Sequence, residues 1–212
     1  MKTYLFDFDG TLVDSMPTFA EVMLRILDEN GVEHPDDIIK TITPLGDRGA
    51  AELYVKMGLP MTVEQAMEKM REYFVEAYTY HIPAKANVIE TLKVMKARGD
   101  NLNILTASPH TSLDPCLKRL GIYHMFNNVW SCGADFGTTK TNPDIYKQAA
   151  ARIGVAVEEM IFIDDNLYAD IAGKQSGAVV YGIYDDSSAE FEADIKAATD
   201  RYVYDFAELL DD

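Results

Sequence analysis

Tyr4-Leu5-Phe6-Asp7-Phe8-Asp9-Gly10-Thr11-Leu12-Val13-Asp14-Ser15 is the stretch that decides how this chain reads. An apolar run of strand-forming residues carries carboxylates at positions 7 and 9 and then ends in a glycine turn. Side chains alternate along a strand, so the spacing places Asp7 and Asp9 on one side at the end of a first strand over residues 3–8. Two acids leaving a buried strand together are a candidate for carboxylate chemistry. A plain strand running into a polar turn, with Asp14 or Ser15 capping the next helix, accounts for the same spacing. The rest of the chain has to separate the two.

Outward from that stretch, Phe19, Val22, Met23, Ile26 and Leu27 recur at helical intervals behind Pro17, and Gly31 stops the helix. Residues 36–57 read as short helices broken at Thr43-Pro44-Leu45-Gly46-Asp47-Arg48-Gly49. Thr62-Val63-Glu64-Gln65 is a capping box. It opens a helix with Met67, Met70, Phe74, Ala77 and Tyr78 on one face, a stripe read as core packing. From residue 86 the pattern changes to helix 86–98, strand 102–106, helix 111–120 and an apolar segment at 129–131. Asn142-Pro143 then starts helix 143–153, strand 161–163 follows, a helix runs to Ser176 before Gly177, and strands 179–181 and 202–204 close the series. This alternation predicts an α/β fold: a Rossmann-like parallel sheet covered on both faces, with ligands at the carboxyl ends of its strands. Residues 16–82 interrupt it with helices alone. They are read as an inserted α-helical cap domain on a core of residues 1–15 and 83–212, hinged near 14–17 and 81–85.

The 212 residues suit one large domain or a core with a small insertion, and 48% hydrophobic content is enough to build that core. With 35 acidic against 19 basic residues the net charge is −16. A field of that sign argues against sequence-independent binding to nucleic acid or an anionic membrane. It also repels phosphorylated ligands, so any phosphate site needs local cations. Cys116 and Cys132 could pair, but without a secretory signal the expectation is free buried thiols in a reducing cytoplasm. No apolar run nears the roughly 18 residues of a membrane span. A cytoplasmic monomer or weak homodimer is expected.

The run DFDGTLVDS resembles the first motif of the haloacid dehalogenase superfamily of phosphotransferases and phosphatases, and three further elements follow in order. The resemblance implies Asp7 as a nucleophile forming an aspartyl-phosphate, and Asp9 as general acid and then base. An acid at position 9 favours phosphate over carbon–halogen chemistry. Gly10 lets the backbone approach substrate, and Thr11 is expected to hydrogen-bond within the turn. Leu105-Thr106-Ala107-Ser108 closes a strand. A threonine there before a proline is commonplace, but by the resemblance Thr106, with Ala107 and Ser108, contacts phosphoryl oxygens. Thr139-Lys140-Thr141-Asn142-Pro143-Asp144 resembles the family's K-x-x-P-[DE] element, with Thr141 where many relatives have proline. It implies an ammonium on Lys140 balancing Asp7 and the phosphate.

In Ile161-Phe162-Ile163-Asp164-Asp165-Asn166, adjacent acids are ordinarily just a capped helix start. Near Asp7 they offer oxygen ligands to a hard cation. The resemblance implies Mg²⁺ held by Asp7, the main-chain carbonyl of Asp9, and Asp165, with Asp164 either a direct ligand or one step behind. Aligning Ala172-Gly173-Lys174 and Gly177 with the family's A-G-K-x-x-G ending puts Ala169 where many phosphatases carry an aspartate. Asp170 comes one place late and is read as structural. The paired acids resemble the β-phosphoglucomutase-like branch.

Arg48, flanked by Gly46 and Gly49 in the 44–49 turn, is a candidate to meet a carboxylate or second phosphate on the substrate, or else a solvated loop residue. That turn's context resembles phosphoglycolate-phosphatase-like caps. Mutases of the superfamily carry a histidine in the first cap helix. Here Thr18-Phe19-Ala20-Glu21 stands there, and no histidine precedes His34. His34, His81, His110 and His124 show no metal-ligand spacing and are read as structural or surface residues, with His81 near the hinge. The expected function is a Mg²⁺-dependent phosphatase acting on a small phosphorylated metabolite, phosphoglycolate-like or a sugar phosphate. The alternatives are a β-phosphoglucomutase-type isomerase and a non-catalytic relative that binds phosphometabolites.

Overall fold

Every residue of Thr3–Phe6 is buried, and this strand, β1, lies inside the sheet with a neighbour on each side. The computed structural model describes residues 1–211, Pro44 by its backbone alone. After β1 come four helices, α1 (Met16–Glu29), α2 (Ile38–Ile42), α3 (Gly46–Lys56) and α4 (Val63–Tyr80). Then α5 (Val88–Ala97), β2 (Asn101–Thr106), α6 (His110–Arg119), β3 (Asn128–Ser131) and α7 (Asp144–Ile153) follow. β4 (Met160–Asp164), α8 (Leu167–Ser176), β5 (Val179–Ile183), α9 (Glu192–Ala198) and β6 (Arg201–Val203) complete the series.

The strands run parallel in the order β3-β2-β1-β4-β5-β6 among the described residues. The expected α/β fold with a Rossmann-like sheet is therefore present. In that order the chain works outward from β1 to β3 and returns to lay β4 on the other side of β1. The point of reversal between β1 and β4 is where such sheets open a crevice at their carboxyl ends.

The chain forms two compact units, Met1–Asp14 with the residues from Pro83 on, and Ser15–Ile82. In the first, Leu5, Leu105, Met160, Phe162 and Val180 of the sheet pack with Ile145, Tyr146 and Ala149 of α7 and Ala169 and Ala172 of α8. Cys116 and Cys132 are buried thiols outside any disulfide, their pKa values pushed up to about 11 and about 12 by burial. Among its described residues the second unit holds helices and no strand. Val22, Met23, Ile26 and Leu27 of α1 are buried, and half-buried Phe19 stacks on Phe74 of α4 with ring centroids 5.4 Å apart. The Thr62–Gln65 capping box closes in both directions. The buried stripe of α4 is Ala66, Met70, Tyr73, Ala77 and Tyr78. Met67 and Phe74 lie at its half-exposed margin, and Tyr73, which the spacing passed over, is inside it.

Three local expectations are corrected. β1 ends at Phe6, not residue 8. Asp7 N still donates to Ile163 O (2.9 Å), but the Phe8 carbonyl then accepts from Leu12 N (2.8 Å) and Val13 N (3.0 Å), which curls the chain into a turn. Asp9 thus stands in a turn, and strand alternation is not what orients it. Neither Asp14 nor Ser15 caps α1 with its side chain: Ser15 has helical backbone angles and a buried hydroxyl without a hydrogen-bond partner among the described residues. The break expected across residues 43–49 is shorter. Only Thr43–Leu45 is a tight 3₁₀ turn, and Gly46 onward is already α3.

α8 is capped by Asn166, whose Oδ1 accepts from Tyr168 N (3.0 Å) and Ala169 N (3.2 Å). One turn on, Asp170 is fully buried, and neither carboxyl oxygen has a hydrogen-bond partner among the described residues. Burial, with Asp164 beside it, raises its pKa well above the carboxylate range. A carboxyl raised on folding contributes fully below its unfolded pKa of about 4 and loses that contribution as pH rises. Asp170→Ala is therefore expected to gain stability at neutral pH, by about 1–3 kcal/mol. The gain should shrink toward pH 4, which urea midpoints at pH 4.5 and 7.5 would measure.

Candidate active site

The register decides what meets at the crevice. Phe6 of β1 is level with Ile163 of β4 and with Ile104 of β2. Asp7 and Asp164, one residue further along each strand, therefore emerge side by side, and Thr106 closes β2. Asp7, Asp164 and Asp165 are all buried, with oxygens of the three carboxyls within 4.8 Å of one another. Between the π-helical turn Cys132–Phe136 and α7, the chain brings in Lys140. Its ammonium lies 2.6 Å from Asp164 Oδ2 and 2.8 Å from Asp7 Oδ1. The contact to Asp7 is an ion pair off the hydrogen-bond direction, which leaves Asp7 Oδ1 without an aligned donor. Tyr146 Oη holds the loop in place from 2.8 Å to Lys140 O and 3.0 Å to Ala169 O, its single proton serving one at a time.

If all three buried carboxyls were ionised, one ammonium would leave two negative charges in a poorly solvated space. Burial, helped by Asp164 and Asp9 and opposed by Lys140, pushes Asp7 up to about 7. Burial and the neighbouring Asp164 and Asp7 carry Asp165 well above its ordinary range. Burial alone would lower Lys140, but Asp164 and Asp7 outweigh it and hold the lysine charged. A divalent cation would supply the missing charge, and oxygen-only donors with one unaligned lone pair suit a hard ion. The residues present therefore fit a hard divalent cation chemically. The helix-start explanation of the adjacent acids falls away, since Asn166 does the capping. Asp164 Oδ1 accepts from Asn166 N (2.9 Å) while its other oxygen holds Lys140.

Around this centre the turn after β1 is closely fitted. Gly10 has φ +73°, and a Cβ there would lie 2.5 Å from Asp165 Oδ2. Thr11, expected to bond within its own turn, reaches across instead: its Oγ1 donates to Asp165 Oδ1 at 3.1 Å. Thr106 Oγ1 accepts from Ser108 N (3.1 Å), which leaves its proton for another acceptor. The Ser108 hydroxyl donates to Asp9 Oδ2 at 2.5 Å. Ala107, between them, is exposed. Within the sheet unit, Lys140 thus joins Asp7 and Asp164, with Asp165 in the same carboxylate cluster, while Ser108 links Thr106 to Asp9.

Arg48 belongs to the helical unit. It sits in the first turn of α3 rather than in a loop, its side chain is 64% exposed, its Nε donates to Glu52 Oε1 (3.1 Å), and Nη2 is 3.7 Å from Glu64 Oε1. Two residues that the sequence gave no reason to select do join the site's surroundings. Lys85 Nζ donates to Gly10 O (2.6 Å), Tyr184 O (2.7 Å) and Asp185 Oδ2 (2.8 Å). Nothing in the sequence links positions 10, 85 and 185. A lone lysine within an otherwise apolar linker is the one signal that could have prompted the question.

His110 is held between two carboxylates. Its Nδ1 meets Asp114 Oδ1 and its Nε2 meets Asp135 Oδ2, both at 2.9 Å, and Asp135 Oδ2 also accepts from Ser131 N. Asp114, then Asp135, raise the imidazole pKa. That contribution is complete below the unfolded value of about 6.5 and is lost as pH rises through the higher folded one. Wild-type melting temperature should fall on going from pH 6 to pH 9 by more than that of His110→Asn.

Known proteins are similar to this chain in sequence and in fold. A phosphoglycolate phosphatase of Haemophilus influenzae is 28% identical over 218 residues, spanning 97% of this chain and 95% of that protein. An N-acetylmuramic acid 6-phosphate phosphatase of Pseudomonas aeruginosa is 27% identical over 207 residues, spanning 92% and 89%. Among solved structures, a Thermotoga maritima protein provisionally called a beta-phosphoglucomutase superposes with a TM-score of 0.85 at 21% identity, covering 100% of this chain and 97% of the other. The family model for haloacid dehalogenase-like hydrolases matches residues 1–177, which span β1 and its acidic turn, Thr106, Lys140 and the Asp164-Asp165 pair. The chain belongs to the haloacid dehalogenase-like hydrolase family.

Proposed function

We propose that this protein is a Mg²⁺-dependent phosphatase of small phosphate monoesters, working through an aspartyl-phosphate on Asp7. One observation carries the reading: a buried carboxylate with a lone pair that no aligned donor occupies stands beside a fixed ammonium, two further acids and a second, separately held carboxylate. Asp7 attacks phosphorus, forming its own acyl-phosphate bond as the ester oxygen leaves. Asp9, oriented by Ser108, gives that oxygen its proton and then takes one from the water that hydrolyses the intermediate. Lys140 and the Thr106 hydroxyl meet the charged equatorial oxygens. A Mg²⁺ held by Asp7, Asp165, the Asp9 carbonyl and Asp164 would add positive charge to the phosphoryl oxygens. These local cations answer the repulsion of a chain carrying −16.

The relatives named as phosphatases of phosphoglycolate and of a sugar 6-phosphate support a small phosphorylated metabolite as substrate. The paired Asp164-Asp165 supports a second reading, a sugar-phosphate mutase. The absence of a histidine between Asp14 and His34 favours hydrolysis. The test is inorganic phosphate release from phosphoglycolate, hexose phosphates, nucleoside monophosphates and an aryl phosphate, with Mg²⁺ and with chelator. Release that needs Mg²⁺ is the expected result. Sugar 1-phosphate converted to 6-phosphate without phosphate release would select the mutase, and neither activity in folded protein would overturn both.

A further inference from the structure

We propose that Lys85, held by Asp185, is a positioning residue for the metal carboxylate Asp165, acting through the Gly10 peptide; the inference rests on the divalent-cation reading above. The Lys85 ammonium has three protons and three acceptors, Gly10 O, Tyr184 O and Asp185 Oδ2, all within 2.8 Å. Its side chain is 19% exposed. With every donor committed to the protein, Lys85 is not a phosphate-binding lysine like Lys140. It is a tie.

What it ties is specific. The Lys85 main chain pairs with the far end of the turn after β1, since Lys85 N donates to Leu12 O (3.0 Å) and Ala84 bridges Val13. Its side chain returns to the near end at Gly10 O. One residue thus fixes both ends of the 10–13 segment. Gly10 is the wall against which the Asp165 carboxyl rests, and Thr11 is that carboxyl's hydrogen-bond donor. The segment also continues directly from Asp9, whose carbonyl is a proposed ligand.

Asp185 gives the tie a firm anchor beyond the end of β5. Its second oxygen accepts from Ser187 N (3.0 Å) and Ser187 Oγ (2.5 Å), independently of Lys85. The pair is neutral, so it adds rigidity without adding charge beside a site that already has an excess of acid. Groups that orient a metal ligand without touching the metal typically change affinity about 10–100-fold when removed.

The experiment is calorimetric titration of metal-free protein with MgCl₂, with no substrate present. Lys85→Met should weaken Mg²⁺ binding about tenfold, and Lys85→Arg, which keeps charge and donors, should recover part of the loss. Lys85→Met strands Asp185, so Lys85→Met/Asp185→Asn is made alongside it to keep the pair neutral and the fold secure. It should show the same weakening. Urea midpoints are measured for each. A lower midpoint with wild-type Mg²⁺ affinity in the folded variants would reduce Lys85 to a stabilising contact and overturn the proposal. Asp165→Asn runs in parallel. If it weakens Mg²⁺ binding and the Lys85 variants do not, the tie alone is wrong. If Asp165→Asn binds Mg²⁺ as wild type does, the metal reading fails with it.

Discussion

Asp7→Asn is expected to abolish phosphate release, lowering turnover by about 10⁴-fold or more, as loss of a covalent nucleophile does elsewhere. The amide has nearly the shape of the carboxyl but no nucleophilic oxygen anion. The fold should not suffer, because Asp7 is held in the native chain against its own preference: burial pushes it up to about 7 despite Lys140 at 2.8 Å. A neutral amide removes that tension, so far-UV circular dichroism and the urea midpoint of metal-free protein should match wild type or exceed it. The pairing of a lost rate with a kept fold is the informative outcome. Activity within about tenfold of wild type would be too much for a missing nucleophile and would take that role from Asp7.

The second large effect comes from the smallest change. In Gly10→Ala the new methyl group would lie 2.5 Å from Asp165 Oδ2, 2.6 Å from its Cγ and 2.7 Å from its Oδ1. Contacts that short are not tolerated, and with φ +73° the alanine also adopts a left-handed backbone at a cost of about 1 kcal/mol. Either Asp165 swings away or the turn lifts off it, and both break the Thr11 hydrogen bond. Mg²⁺ affinity is expected to fall about 10–100-fold, and phosphate release at a fixed, subsaturating Mg²⁺ concentration about 100-fold. The Mg²⁺ dependence of phosphate release measures both. A wild-type curve would mean that Asp165 is not held where a cation needs it.

Much of this was legible in the sequence because it was local. The alternation of strands and helices from residue 86 on gave the parallel sheet, since each element announces its own period and its own stop. The acids at 7 and 9, Thr106, Lys140 and the pair at 164 and 165 were singled out because their motifs resemble the family's, since a threonine at a strand end or adjacent acids before a helix are commonplace by themselves. Ligands on such sheets gather at those strand ends.

What escaped was decided by contacts across the chain. Phe8 looks like a strand residue because it is apolar and buried, yet its carbonyl closes the turn, and hydrophobicity cannot register that. Thr11 bonds a residue 154 positions away, and Lys85 ties positions 75 residues behind it and 100 ahead. Arg48 was placed in a turn flanked by glycines, as a candidate substrate contact or else a solvated loop residue. Gly46 and Gly49 sit instead within the first turn of α3, and Gly49 packs against Leu45 where a Cβ would lie 2.7 Å away. Asp170 was passed over as structural, and nothing in its neighbourhood said that it would be buried with no hydrogen-bond partner among the described residues.

The most direct test of the central claim is to catch the intermediate. The protein would be mixed with Mg²⁺ and the phosphate monoester it hydrolyses fastest, quenched during turnover, treated with borohydride and mapped by peptide mass spectrometry. An acyl-phosphate is reduced to an alcohol, so the account predicts homoserine at position 7 in the turnover sample and aspartate there in samples lacking substrate or Mg²⁺. Steady phosphate release with residue 7 always recovered as aspartate, or homoserine at position 9, 164 or 165 instead, would contradict it.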